Sequence, residues 1–316
     1  MKGAPIIVGS ERSEAGLVEG MRLLRDGASS LDAVEAALRL CEDNLDDHYV
    51  GTGGLPNARG EVELDASLMV GSSRAFGAVG AIKGYAHPIS IARAVLEALP
   101  QHSLLVGEGA ELFASEQGFE RTELLTEDAR RLFLAALAPS AESVEGENTL
   151  ALEGDDLYRI RALELVQRLR PHDGPWGTIN VIALDETGEM VVGVSTSGYP
   201  WKYPGRVGDS ALPGAGNYCD LRYGGAACTG RGEMSMRVLG ARTVVDHLAR
   251  GEDPVTACRT MLAEAATLPD AFRSELRTLC LKPDGQHGAA AGQSGATYNV
   301  IRGDVGDLEV FPRALV

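Results

Sequence analysis

Residues 174–198, GPWGTINVIALDETGEMVVGVSTSG, decide the reading of the fold. The loop at 171–177 holds two prolines and two glycines and cannot continue a helix or a central strand. Residues 178–184 are then β-branched and apolar, 185–189 (DETGE) reads as a turn, and 190–196 returns as a second strand. A sheet therefore begins abruptly at Thr178, in the middle of the chain. Downstream, apolar residues at helical spacing predict helices at 232–250 and 254–267, followed by strands near 275–282, 288–291 and 297–302. Upstream, residues 5–8 read as a short buried strand and 14–25 as an amphipathic helix. Ser30 is placed as N-cap of a second helix at 31–41. A glycine-rich loop at 50–58 leads to strands at 61–69 and 77–82, and helices follow at 89–99, 108–118 and 127–137. Residues 138–154 are small, acidic and without period, which predicts a mobile linker before a helix at 157–168. Strands grouped with strands and helices with helices predict layers of sheet covered by helices, not a doubly wound βαβ fold.

Bulk properties narrow the function. Lys+Arg 29 against Asp+Glu 45 leaves a net charge of −16. That argues against nucleic acid or an anionic membrane surface as the main partner and otherwise reads as a solubilising surface. No run approaches the roughly 20 apolar residues that span a bilayer, and residues 1–8 are too short an apolar start for a signal peptide. The five cysteines show no CxxC spacing and the six histidines are scattered singly. The expectation is a cytoplasmic, reduced protein with no metal and no cofactor.

Three runs in the central segment carry chemistry: Gly177-Thr178-Ile179-Asn180 with STSG at 195–198, PGRVGDSALPGAG at 204–216, and GAACTGRGE at 225–233. Alone, each reads as ordinary structure: a strand threonine, a surface turn, a threonine-capped loop. Together and in this order they resemble the threonine-type N-terminal nucleophile (Ntn) amidohydrolases, namely glycosylasparaginases, plant-type (type-2) asparaginases and isoaspartyl peptidases. The N-terminal half is similar to the same family at 30–44, 46–69, 77–97 and 104–114, so nearly the whole chain is covered.

The resemblance implies a single Ntn-hydrolase domain over 1–316, a four-layer αββα sandwich in the mixed α/β (α+β) class. It implies self-cleavage between Gly177 and Thr178. The products are an α subunit at 1–177, ending in a linker and pre-cleavage segment at 138–176, and a β subunit at 178–316. A threonine hydroxyl is a poor nucleophile until a base takes its proton. At a new N-terminus the α-amine, with a reference pKa of about 7.7–8.0, is that base. An internal threonine has no such amine and must first be freed. Gly177, lacking a Cβ, lets the backbone bend for the attack, and the stiff χ1 of Thr178 aims its hydroxyl. Carried over residue by residue, Thr196 orients Thr178. The Thr229 hydroxyl and the Gly230 N–H receive the oxyanion. Arg206 forks onto the substrate α-carboxylate and Asp209 takes the α-ammonium. Val207, Gly208, Arg231 and Gly232 complete the substrate-binding loops. A dimer of αβ units is also implied.

Several positions depart from the family pattern. Glycosylasparaginases usually carry Asp before the nucleophile, where this chain has Gly177, as in isoaspartyl peptidases and plant-type asparaginases. Asn180 stands where many members have Gly, and Gly9-Ser-Glu-Arg12 replaces an aromatic Trp-Pro-Phe stretch. VGTGGLPN at 50–57 and DDHYVG at 46–51 lie closer to the glycosylasparaginase branch. Three functions stay open. One is hydrolysis of N4-(β-N-acetylglucosaminyl)-L-asparagine or a similar amide. Another is L-asparaginase or β-aspartyl (isoaspartyl) peptidase activity. The third is a non-maturing amino-acid-binding protein.

Overall fold

The strand expected from Thr178 begins one residue later, at Ile179, and the hairpin it forms lies in the middle of the larger sheet. A computed structural model of the chain describes residues 3–137, 160–169 and 177–316, apart from 271, 273 and 305. The linker expected at 138–154, the first residues (157–159) of the helix expected at 157–168, and the loop at 171–176 lie outside the described residues. Before the central hairpin come β1 (Ile6–Ser10), α1 (Glu14–Arg25), α2 (Ser30–Glu42), β2 (Leu64–Val70), β3 (Phe76–Ile82) and α3 (Pro88–Ala98). They are followed by β4 (Leu104–Val106), α4 (Gly107–Glu116), α5 (Glu127–Leu137) and α6 (Ala162–Arg168). The hairpin is β5 (Ile179–Leu184) and β6 (Met190–Thr196). After it come β7 (Asn217–Asp220), β8 (Gly224–Gly230), α7 (Gly232–Val238), α8 (Gly240–Ala249), α9 (Pro254–Ala266), β9 (Leu276–Leu281), β10 (His287–Ala291), β11 (Thr297–Arg302), β12 (Leu308–Pro312) and β13 (Ala314–Leu315).

Asp185 builds the hairpin turn. Its Oδ1 accepts the Thr187 N–H at 2.9 Å, the Thr187 hydroxyl at 2.6 Å and the Glu189 N–H at 3.1 Å. Its Oδ2 takes the Ser30 N–H and hydroxyl at 2.9 and 2.8 Å. Ser30 is therefore not the N-cap of α2. That place belongs to Ser29, which closes a capping box with Asp32.

The strands form an eight-stranded sheet, ordered β12-β11-β1-β5-β6-β2-β3-β4, and a five-stranded sheet, ordered β13-β10-β9-β8-β7. All pairs are antiparallel except β3–β4 and β10–β13. Strand periodicity splits the core. Ile179, Val181 and Ala183 of β5 pack with residues of α1, α2 and α3, whereas Ile182 and Leu184 join a second cluster with Ala227, Leu279 and Leu281 of the smaller sheet. The other face of the smaller sheet, through Ala226, Cys228 and Cys280, packs on α7, α8 and α9.

Two expectations changed here. GGAACTG at 224–230 is a strand, missed because glycine and alanine have poor β propensity. The neighbouring sheet demands those small residues: a Cβ on Gly225 would lie 2.5 Å from Val192 Cγ2. The helix expected over 232–250 is two helices, broken at Leu239, which is left-handed at φ 48°. The first N–H groups of α8 turn away to the carbonyls of Ala215 and Gly214, and that alternative pairing sustains the break. β4, β7, β12 and β13 are short edge or terminal strands that carried no alternating signal.

Candidate active site

The start of β5 and the end of β6 are paired neighbours, Ile179 opposite Ser195, and the end of β8 lies across from them in the other sheet. Thr178, Thr196 and Thr229 therefore meet at one end of the two sheets. Thr178 is 8% exposed. Its Oγ1 lies 3.4 Å from the Ser210 hydroxyl, and its carbonyl accepts from Thr229 Oγ1 at 3.2 Å and from Ser10 Oγ at 3.4 Å. Thr196 Oγ1 donates to the Gly177 carbonyl at 2.9 Å and accepts the Gly198 N–H at 2.9 Å. The oxygen of the peptide bond preceding Thr178 is thus already hydrogen-bonded. The nearest atom to a Cβ on Gly177 would be Thr229 Cγ2 at 3.3 Å. Gly230 is held at φ +115°, and a Cβ would collide with the Glu275 carbonyl at 2.2 Å, so this end of β8 requires glycine.

Arg206 and Asp209 sit on the loop between β6 and β7, anchored from β2. Asp65 accepts the Gly208 N–H at 2.9 Å and the Ala81 N–H at 2.8 Å, while Ser67 Oγ donates to the Ser210 carbonyl. Arg206 directs Nε and Nη2 onto Glu233 Oε1 at 3.0 and 2.9 Å. Its Nη1 is the guanidinium nitrogen nearest to Gly198 and Gly208. Burial works to raise the Glu233 carboxyl, but Arg206 and Arg231 on either side outweigh it and hold it below the usual range. Asp209 is the reverse case. Burial pushes its carboxyl up to about 6 against the pull of Arg206, and its buried Oδ2 has no hydrogen-bond partner among the described residues. A buried carboxylate oxygen in that condition is costly unless a cation reaches it. Lys202, fully buried nearby, is already committed to the carbonyls of Glu63 and Ser197 at 2.9 and 3.2 Å.

Of the residues singled out in the sequence, Gly177, Thr178, Thr196, Arg206, Gly208, Asp209 and Gly230 line one small pocket of about 10 Å³. That is room for one water. Gly198, Tyr199 and Ser210 line it too and were not singled out, although all lie in or beside the quoted motifs. Thr229 sits behind it on the Thr178 carbonyl. Val207 packs its methyls on Gly80 instead. Arg231 pairs with Glu233 at 2.9 Å and Asp270 at 3.5 Å, and Gly232 begins α7 against Asp209 and Arg206. A larger surface cleft of about 470 Å³, beside Lys83 and Arg121, shares no residue with this site. Among the described residues, the smaller pocket brings the Thr178 hydroxyl, the Arg206 guanidinium and the Asp209 carboxylate to one place, and the chemistry is assigned there.

Comparison with known proteins identifies the family of the chain. The profile of the asparaginase family (Asparaginase_2) matches residues 9–306. The N(4)-(beta-N-acetylglucosaminyl)-L-asparaginase of Mus musculus is 35% identical over 84% of this chain and 78% of its own length. The Elizabethkingia miricola protein of that name is 33% identical over 90% and 77%. An isoaspartyl peptidase/L-asparaginase of Rattus norvegicus is 33% identical over 85% and 72%. With that profile spanning nearly the whole chain, and relatives at one-third identity named as hydrolases of amide bonds, the chain belongs to the asparaginase family of amide hydrolases.

Proposed function

We propose that this chain is an N-terminal nucleophile enzyme that cuts itself before Thr178 and then hydrolyses the side-chain amide of an asparagine derivative with free α-amino and α-carboxyl groups. The observation that carries the substrate reading is the pair on the pocket wall: the unpartnered Oδ2 of buried Asp209 beside the Arg206 guanidinium. One wants a cation and the other an anion, as the head group of a free amino acid provides.

In maturation, Thr178 Oγ adds to the Gly177 carbonyl carbon and Thr196 donates to the oxygen that becomes negative. The C–N bond breaks, the freed amine takes a proton, and an ester joins Gly177 to Thr178 until water cleaves it. In turnover, the Thr178 amine removes the hydroxyl proton and Oγ attacks the side-chain amide carbon. Thr229 and the Gly230 N–H stabilise the oxyanion. The leaving amine departs with the proton, and water releases aspartate from the ester. The one-water pocket, with Gly177 on its wall, suits a precursor that makes room for substrate only once cut. The two facing sheets with helices outside support the four-layer αββα sandwich of the Ntn hydrolases; the division into α (1–177) and β (178–316) fragments and the dimer of such units are part of the proposal.

The test is a gel and a substrate panel. Purified protein should give two bands, and the smaller should begin Thr-Ile-Asn-Val. Asparagine, β-aspartyl dipeptides and N4-(β-N-acetylglucosaminyl)-L-asparagine then identify the leaving group. One full-length, inactive band would favour an amino-acid-binding protein that never matures.

A further inference from the structure

Asn180, on β5, lies two residues after Thr178, which immediately precedes the strand, and Thr229 of β8 is hydrogen-bonded to both. Asn180 is fully buried. Its Nδ2 lies 2.6 Å from Thr229 Oγ1 and 3.2 Å from the Cys228 carbonyl. A carbonyl oxygen only accepts, so the amide atom facing it is the nitrogen, and the orientation of this side chain is fixed by chemistry. Asn180 therefore donates one hydrogen to Cys228 and the other to the Thr229 hydroxyl.

A hydroxyl has a single proton to give. With a lone pair of Thr229 Oγ1 engaged by Asn180, its proton turns to the remaining neighbour, the Thr178 carbonyl at 3.2 Å. Thr196 is set in the same manner by a backbone donor: it receives the Gly198 N–H and gives its proton to the Gly177 carbonyl. The two threonines thus have matching arrangements, one built from main chain and the other from a side chain. Asn180 also carries a cost, because its buried Oδ1 has no partner among the described residues. Ile182 and Leu184 on the same face fill their places with hydrocarbon, so filling space does not require an amide at 180.

We propose that Asn180 is a positioning residue: by holding a lone pair of Thr229 Oγ1 it keeps the one hydroxyl proton on the opposite side, where it rests on the Thr178 carbonyl in the uncut chain and turns to the oxyanion during turnover, without Asn180 itself touching the substrate. The proposal rests on Thr178 being the nucleophile and Thr229 an oxyanion donor. It adds that the donor is directed and polarised by a side chain of the strand the nucleophile begins.

A double-mutant cycle tests it, with kcat and KM measured on matured protein using the best substrate of the panel. Thr229→Val should lower kcat by about 10²–10³-fold. Asn180→Ala should lower kcat by about tenfold and leave KM within about twofold, because the substrate head group is read elsewhere. If Asn180 acts only through Thr229, the double variant is no slower than Thr229→Val alone. Losses that multiply, or an unchanged kcat in Asn180→Ala, would overturn the proposal. Asn180→Asp keeps the size but puts an acceptor where the donor was, and should be slower than Asn180→Ala. The opposite order also overturns it. So does an Asn180→Ala chain that stays uncut, since Thr196 and not Thr229 bonds the Gly177 carbonyl. The underlying reading is judged separately, by whether Thr178→Ala abolishes both cutting and activity while the unaltered chain shows both.

Discussion

Replacing Asp209 with asparagine should make the protein more stable and nearly inactive in a single step. The carboxyl of Asp209 titrates at about 6 in the folded chain against an ordinary 3.8. A shift of about two units corresponds to about 3 kcal/mol at 1.36 kcal/mol per unit. Because the folded value lies above the unfolded one, the native state is favoured while Asp209 is protonated. That advantage is lost as pH rises from about 4 through about 6, and above that the full cost of the buried charge is present. The amide introduced by Asp209→Asn would mimic the protonated form at every pH. Urea titration in a Thr178→Ala background, where neither protein is expected to cut itself, should show a gain approaching about 3 kcal/mol at pH 7.5. The gain should shrink to about half near pH 5 and almost vanish near pH 4. In the matured enzyme the same change removes the partner of a substrate ammonium in a dry pocket. The loss should be roughly 2–5 kcal/mol, at least about 30-fold in kcat/KM. Equal or lower stability at pH 7.5 would mean that the carboxylate is already satisfied in the free protein. An unchanged kcat/KM would mean that it does not read the ammonium. Either result refutes the reasoning.

Three further outcomes follow from the same geometry. Arg206→Lys keeps the charge but loses the planar fork and both bonds to Glu233, so KM should rise at least tenfold (about 1.4 kcal/mol) while the rate of self-cleavage on a gel changes little. Glu233→Gln weakens the brace on Arg206 but spares the pocket, so a smaller rise in KM, a few-fold, with kcat retained is expected from steady-state kinetics. Thr178→Ser keeps a hydroxyl and, once cut, an α-amine, but has freer χ1; it should mature slowly and keep weak activity, whereas full activity in uncut Thr178→Ala would eliminate the mechanism.

What the sequence disclosed follows from where physics is local. The β5–β6 hairpin was legible because β-branched runs and an Asp-Glu-Thr-Gly turn act within a few residues, and the DETGE turn is closed by Asp185 as such turns are. β8 was illegible because its composition answers to another sheet, which the linear sequence does not display. The break at Leu239 likewise depends on carbonyls of residues 214 and 215. At the site, the motifs marked Arg206, Asp209 and the three threonines. They gave no sign that Glu233 would occupy the fork of Arg206, or that Ser10 and Asn180 would bracket the nucleophile's strand. Those are relations between segments from 27 to 170 residues apart, and periodicity does not register them.

The strand order also governs how such a protein would end its life. β1 lies between β11 and β5, and β2 is laddered to β6, so segments from either side of residue 177 alternate across one sheet. A chain cut before Thr178 would be two polymers woven into a single body, neither able to slip free without tearing ladders on both flanks. Before the cut, recovery from unfolding is a problem for one chain. Afterwards it would require two fragments to meet, and the apparent melting temperature would depend on protein concentration. Cleavage would then divide the molecule's history into a time when mistakes in folding could be repaired and a time when unfolding, in a dilute cell, is final.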